Sequence, residues 1–286
     1  MIEKKDSRNP EHLQKPFGFS LNLLGSSREE SLGTIYKSIP LVILIFVLIT
    51  SNAWASGVNH HLWNELLESH VENGLVNYSA LKQNSINLDV YLKTISRVPK
   101  TDFETWSSHT QLACLINLYN AATVRLILDE YPLKSIKDIG FLPHAAWRKK
   151  FIQLWGKTIS LNELEHELIR PRSKDLPAVH FALVCAAKGC PPLRSEAYTG
   201  ELLVKQLENQ GELFLTDTSK NRIFSSEKIL YLSPVFEWYA EDFEQVTGSV
   251  KEYLTEKYPE IFPVDLDRFS IKYTHYDWSL NEMKVE

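Results

Sequence analysis

The chain has 286 residues, with 31 Lys and Arg against 36 Asp and Glu and a formal net charge of −5. A mildly acidic balance argues against nucleic acid as a partner, because phosphates demand a basic face. Hydrophobic residues make up 44% of the chain, which is ordinary for a globular domain, and no internal repeat or low-complexity tract is present.

Residues 1–38 read as a polar N-terminal extension without sustained periodicity. The run "IPLVILIFVLI" follows, with Lys37 before it and Ala53-Trp54-Ala55 after it. A short apolar run between a positive charge and a small-x-small site has the pattern of a secretory signal. Residues 39–55 are therefore expected to be a cleaved signal peptide, and the mature chain is expected to begin at Ser56. The run is short for a bilayer span, which needs roughly 20 apolar residues. An uncleaved membrane anchor is the alternative, and it would be the only contact with a membrane. The 38-residue extension is long for such a signal, and the only methionines are Met1 and Met283. A non-Met start near Leu32 to Ile35, mis-assigned upstream, is the expectation here. The protein should then be periplasmic or secreted.

The remaining segment, 56–286, is long enough for one sizeable core. Leu62, Leu66 and Val71 have helical spacing, with Asn73-Gly74 as a stop. "LDVYLKTISRVP" is a second helix, ended by Pro99. The strongest helical period runs from Trp106 to Tyr131, with Pro132 beyond it. "KKFIQLWGKTISL" reads as a hairpin about Gly156-Lys157. Ser160 and Glu163 form a capping box at the next helix, "SLNELEHELIR". "VHFALVC" has the length and composition of a strand buried on both faces. "EAYTGELLVKQLENQGELFL" is helical, "NRIFSSEKILYLS" is a hairpin, and Pro234 opens the helix "PVFEWYAEDFEQV". A last helix, "VKEYLTEKY", leads into a tail. The fold class expected is α+β, a helix-rich single domain with a small, mostly antiparallel sheet.

Several residues could carry chemistry. Asn117 and Asn120 lie in the long helix. A buried amide there must find partners or cost about 1–3 kcal/mol, so each either ties another segment to the helix or lines a ligand pocket. Glu165 is a general-base candidate, and His166 and Arg170 lie on the same helix. His180, Cys185 and Cys190 are spaced H-x4-C-x4-C. In a strand, His180 and Cys185 would point to opposite faces. Three readings stand: a Cys185–Cys190 disulfide, favoured in an exported protein; a nucleophilic Cys190 or Cys185 with His180 as base; or zinc, which lacks a fourth ligand of recognised spacing. No metal site and no cofactor is expected. Cys114 should be a small buried hydrophobe.

The segments "LACLINLYNAATVRLILDEYPLKSIKDIG", "KTISLNELEHELIR", "VHFALVCAAKGCPPLRSEAYT" and "LSPVFEWYAEDF" together resemble the domain of unknown function 547 family, across residues 63–243. The chain is similar to an exported bacterial-type member. The resemblance implies that Asn117, Asn120, Glu165, His180, Cys185 and Cys190 are family features. Cys114 stands where the family pattern has an aromatic residue. Plant members attach the domain to a leucine zipper, and no such heptad segment occurs here. The resemblance implies no particular activity. The expectation is a ligand-binding, non-catalytic module of the cell envelope, in which Asn117, Asn120, His180 and Arg194 converge on a polar cleft for a small molecule or peptide. The alternative is a cysteine-dependent hydrolase or transferase.

Overall fold

The computed structural model describes residues 57–284 except residue 263, all within the compact unit Ser51–Glu286. The polar extension, the expected signal segment and the Ser56 terminus lie outside the described residues.

The helix Ser108–Glu130 is the centre of the core. Ser107 caps it by accepting a hydrogen bond from the Thr110 amide at 3.1 Å. Residues 112–124 are buried without interruption, so the helix is enclosed on every side rather than along one stripe. It is long and apolar enough to cross a membrane, but 89% of its apolar window is buried inside this fold. Tyr78–Gln83 and Ile86–Ser96 pack beside it, and His61–His70 packs against Ile86–Ser96, with Trp63 stacked on Tyr91.

The α+β reading holds, with the strands among the described residues divided into three small sheets rather than gathered in one. The first is a hairpin of Val71–Glu72 and Leu75–Val76. The helix before it stops at His70, and Asn73-Gly74 is the hairpin turn instead of the helix end. Both residues have positive φ, 51° and 79°, as a tight right-twisted hairpin requires. A side chain at Gly74 would also meet Pro192 Cβ at 2.5 Å, so this turn seats the Cys-Pro-Pro corner. The second sheet pairs Lys150–Leu154 with Lys157–Ser160, and its turn falls at Trp155-Gly156, one residue earlier than the sequence suggested. The third joins Arg222–Phe224 and Ile229–Leu232 antiparallel, then adds Ser270–Tyr273 parallel to the latter. That last strand comes from the stretch read as a tail.

Two further expectations give way. "VHFALVC" is not a strand. Pro177–Phe181 forms a 3-10 turn, and residues 182–184 continue as irregular backbone. The helix expected from Glu196 begins at Leu203 instead, and residues 196–202 form a loop. In both places the local backbone is satisfied by buried side-chain amides. Asn120 Nδ2 donates to Ala182 O at 2.9 Å, and its Oδ1 accepts from Val184 N at 3.0 Å. Asn117 makes the same two-point clasp on Tyr198, at 2.7 and 3.0 Å. Each amide takes the place of a neighbouring strand or helical turn.

Candidate functional site

The capping box after the second hairpin forms as read. Ser160 Oγ accepts from Glu163 N, and Glu163 Oε2 accepts from Ser160 N. The helix does not stay α. Leu164–Ile169 is a π-helical turn and Arg170–Arg172 a 3-10 turn. Pro171 removes one backbone donor from this stretch. Such π turns are rare and often mark functional sites. This one carries Glu165, the general-base candidate, which is only 5% exposed.

Glu165 lines a cavity of about 460 Å³. Tyr239 Oη donates to Glu165 Oε1 at 2.5 Å, and the Tyr119 hydroxyl is a second partner of the carboxylate. Burial first, and then the Glu165 charge, hold both phenols far above their ordinary pKa. They therefore stay protonated and donate.

Across the Tyr239 ring lies His180. The two rings stack with centroids 3.9 Å apart. His180 Nε2 is 2.7 Å from Asp242 Oδ2, and Arg170 grips the same carboxylate through Nε and Nη2, each at 2.8 Å. The His180 hydrogen bond, followed by that of Arg170, holds the Asp242 carboxyl far below its usual range. With Nε2 committed to Asp242, Nδ1 is the ring nitrogen left to act on a ligand. Arg170 Nη1 also reaches His166 Nδ1 at 3.0 Å.

The third wall is the Cys185–Cys190 disulfide, with Cα atoms 6.2 Å apart. Both cysteines line the cavity, as does His180. The opposite-face argument fails because the segment is not a strand. Tyr276 Oη lies 3.1 Å from Cys190 Sγ and 3.2 Å from Cys185 Sγ. The C-terminal segment brings Tyr276 and Trp278 here by pairing with the disulfide loop. Lys188 N donates to Ser279 O and Gly189 N to Asp277 O, both at 2.8 Å. A side chain at Gly189 would meet Asp277 N at 2.9 Å, so only glycine allows this approach. Trp147, Trp238 and Trp278 complete an aromatic wall, with neighbouring ring centroids 4.6–5.9 Å apart through Tyr276 and Trp278.

The sequence candidates divide accordingly. The structure brings His180, Glu165, Cys185 and Cys190 to one cavity. Asn117 and Asn120 are buried clasps that do not line it. Arg194 is also elsewhere, bound by Glu196 and by Asn209 Oδ1 at 2.8 Å. The proline pair after Cys190 carries the chain away from the cavity before Arg194 is reached. In the bonded pair neither sulfur is available as a thiolate, so a cysteine nucleophile does not fit this form. Cys114 is the free thiol, buried in the long helix with its pKa pushed up to about 12. Among the described residues no group of three or more His, Cys, Asp or Glu is placed to hold a metal ion.

Sequence reasoning missed Tyr119, Tyr239, Asp242, Tyr276 and the tryptophans. A faint signal existed in "EWYAEDF", where Tyr239 and Asp242 are three residues apart and so adjacent on a helical surface.

No curated protein and no solved structure matches the chain. A family model does, over a shorter span than the 63–243 expected from the motifs, and that span includes Tyr119, Glu165, His180 and both bonded cysteines. Residues 103–215 match the family described as "Protein of unknown function, DUF547".

Proposed function

We propose that this chain is an exported ligand-binding module whose cavity takes a small molecule or the end of a peptide. The observation that carries this reading is the pairing of two buried titratable groups, Glu165 and His180, on one aromatic-walled cavity. Each is oriented by side chains rather than by solvent: Glu165 by phenols, His180 by Asp242 and the Tyr239 ring. Fixed polar groups on a mostly apolar concave surface are what small-ligand sites provide. Sites of this kind also concentrate perturbed ionisable groups, as at Asp242 and Tyr239.

Three tryptophans on the wall give the test. A panel of amino acids, short peptides, sugars and amines is titrated while tryptophan emission is followed. At least one compound should shift the emission saturably. Trp238→Ala should weaken that compound about tenfold, or roughly 1.4 kcal/mol, without changing the melting temperature, because Trp238 is 48% exposed. A panel without any saturable response would sink the reading.

Export is supported by the apolar run and the Ala53-Trp54-Ala55 site in the sequence, and by the disulfide, which suits an oxidising compartment. One intact-mass measurement on protein recovered from cells checks both. The expected species begins at Ser56 and is lighter by the two hydrogens of one disulfide. A species retaining residues 41–49 would be a membrane-anchored protein, and a fully reduced one would remove the argument from compartment.

A further inference from the structure

We infer that the ligand of this cavity is an organic cation, whose ammonium group is held by Glu165 behind the wall formed by Trp238, Tyr276 and Trp278. The inference rests on the ligand-binding reading above and adds the chemical class. Glu165 is 95% buried, yet among the described residues no Lys, Arg or His lies within ion-pair distance of it. Its hydrogen-bond partners are neutral phenols. A carboxylate offers about four acceptor positions, and two phenols leave room for a further donor or cation. A buried carboxylate is costly unless a counter-charge meets it.

Arg170 is near enough to feel the Glu165 charge, but its guanidinium is bidentate on Asp242. Arg148, His144 and His166 also line the cavity, but all three are exposed at its mouth. Water and salt screen them far more than they screen a group inside. Trp238, Tyr276 and Trp278 line the same cavity as the carboxylate, and Lys137 Nζ already stands over the Trp278 ring, 5.1 Å from its centroid; aromatic rings attract a cation most strongly once it is desolvated. A neutral polyol would also stack on these rings, but it would bring no direct ion-pair partner to Glu165.

The test uses the mature protein with two probes of nearly equal shape, choline and its uncharged isostere 3,3-dimethyl-1-butanol, read by tryptophan emission. Choline should bind at least tenfold more tightly. Glu165→Gln should abolish that preference while leaving the isostere unaffected. Should that variant fail to fold, Trp238→Leu on the exposed wall should weaken choline more than the isostere. Equal affinity for the two probes, or a preference that survives Glu165→Gln, overturns the inference. If neither probe nor any amine binds while a sugar or acid from the wider panel does, the cation class falls and the cavity reading stands. If nothing in the panel binds, both fall.

Discussion

Replacing Asn120 with leucine is expected to lower the melting temperature by roughly 4–8 °C, although it puts an apolar side chain of similar size into the core. The two effects have opposite signs. A fully buried leucine contributes about 2 kcal/mol of transfer free energy. Against that, Ala182 O and Val184 N, both in buried residues, lose their hydrogen-bond partner, the Asn120 amide. Each orphaned group costs about 1–3 kcal/mol, and the segment 182–184 has no sheet partner to recover them. At the middle of that range the two groups together cost about 4 kcal/mol, so the net loss is about 2 kcal/mol, and each kcal/mol is worth about 2–4 °C in a domain of this size. Asn117→Leu should behave alike at Tyr198. Thermal melting decides the matter, and an unchanged or raised midpoint for Asn120→Leu would show that the clasp does not hold the segment.

The same clasps explain what was legible in the sequence. Where local chemistry decides, the reading succeeded: the capping box at Ser160, the stop before Pro99 and the period of the long helix all depend on residues within a few positions. "VHFALVC" failed because its backbone partner is a side chain about 60 residues earlier, and no periodicity reports such a bond. Glu165 was legible only as a base candidate on a helix, because the two phenols that enclose it come from the long helix and from position 239. Asp242 went unnoticed for a related reason. Its partners, His180 and Arg170, are 62 and 72 residues away. The H-x4-C-x4-C spacing did locate one wall of the cavity, since the loop is short enough for the spacing to constrain it.

Asp242→Asn should cost about 2–3 kcal/mol near neutral pH, with a loss that fades in acid. The carboxylate joins two elements, because Arg170 ends the π turn that carries Glu165 and His180 belongs to the turn after Pro177. Removing one partner of a buried ion pair costs about 3–5 kcal/mol. Asp242 and Arg170 are 25% and 29% exposed, so solvent reduces the figure. The sign of the pH effect follows from the direction of the shift. The folded-state pKa of Asp242 is depressed below the unfolded value of about 3.9. Its contribution is therefore complete above that value and is lost as pH falls through it toward the folded pKa. Wild type and Asp242→Asn should differ by the full amount at about pH 5 to 7, and the gap should narrow progressively as the pH falls below about 4. Urea denaturation at several pH values measures the gap. A gap that persisted undiminished in acid would mean that the amide disrupts packing rather than charge. The narrowing matters for the cavity as well, because the bond that fades is the one that fixes the His180 ring against Tyr239, and Tyr239 in turn orients Glu165.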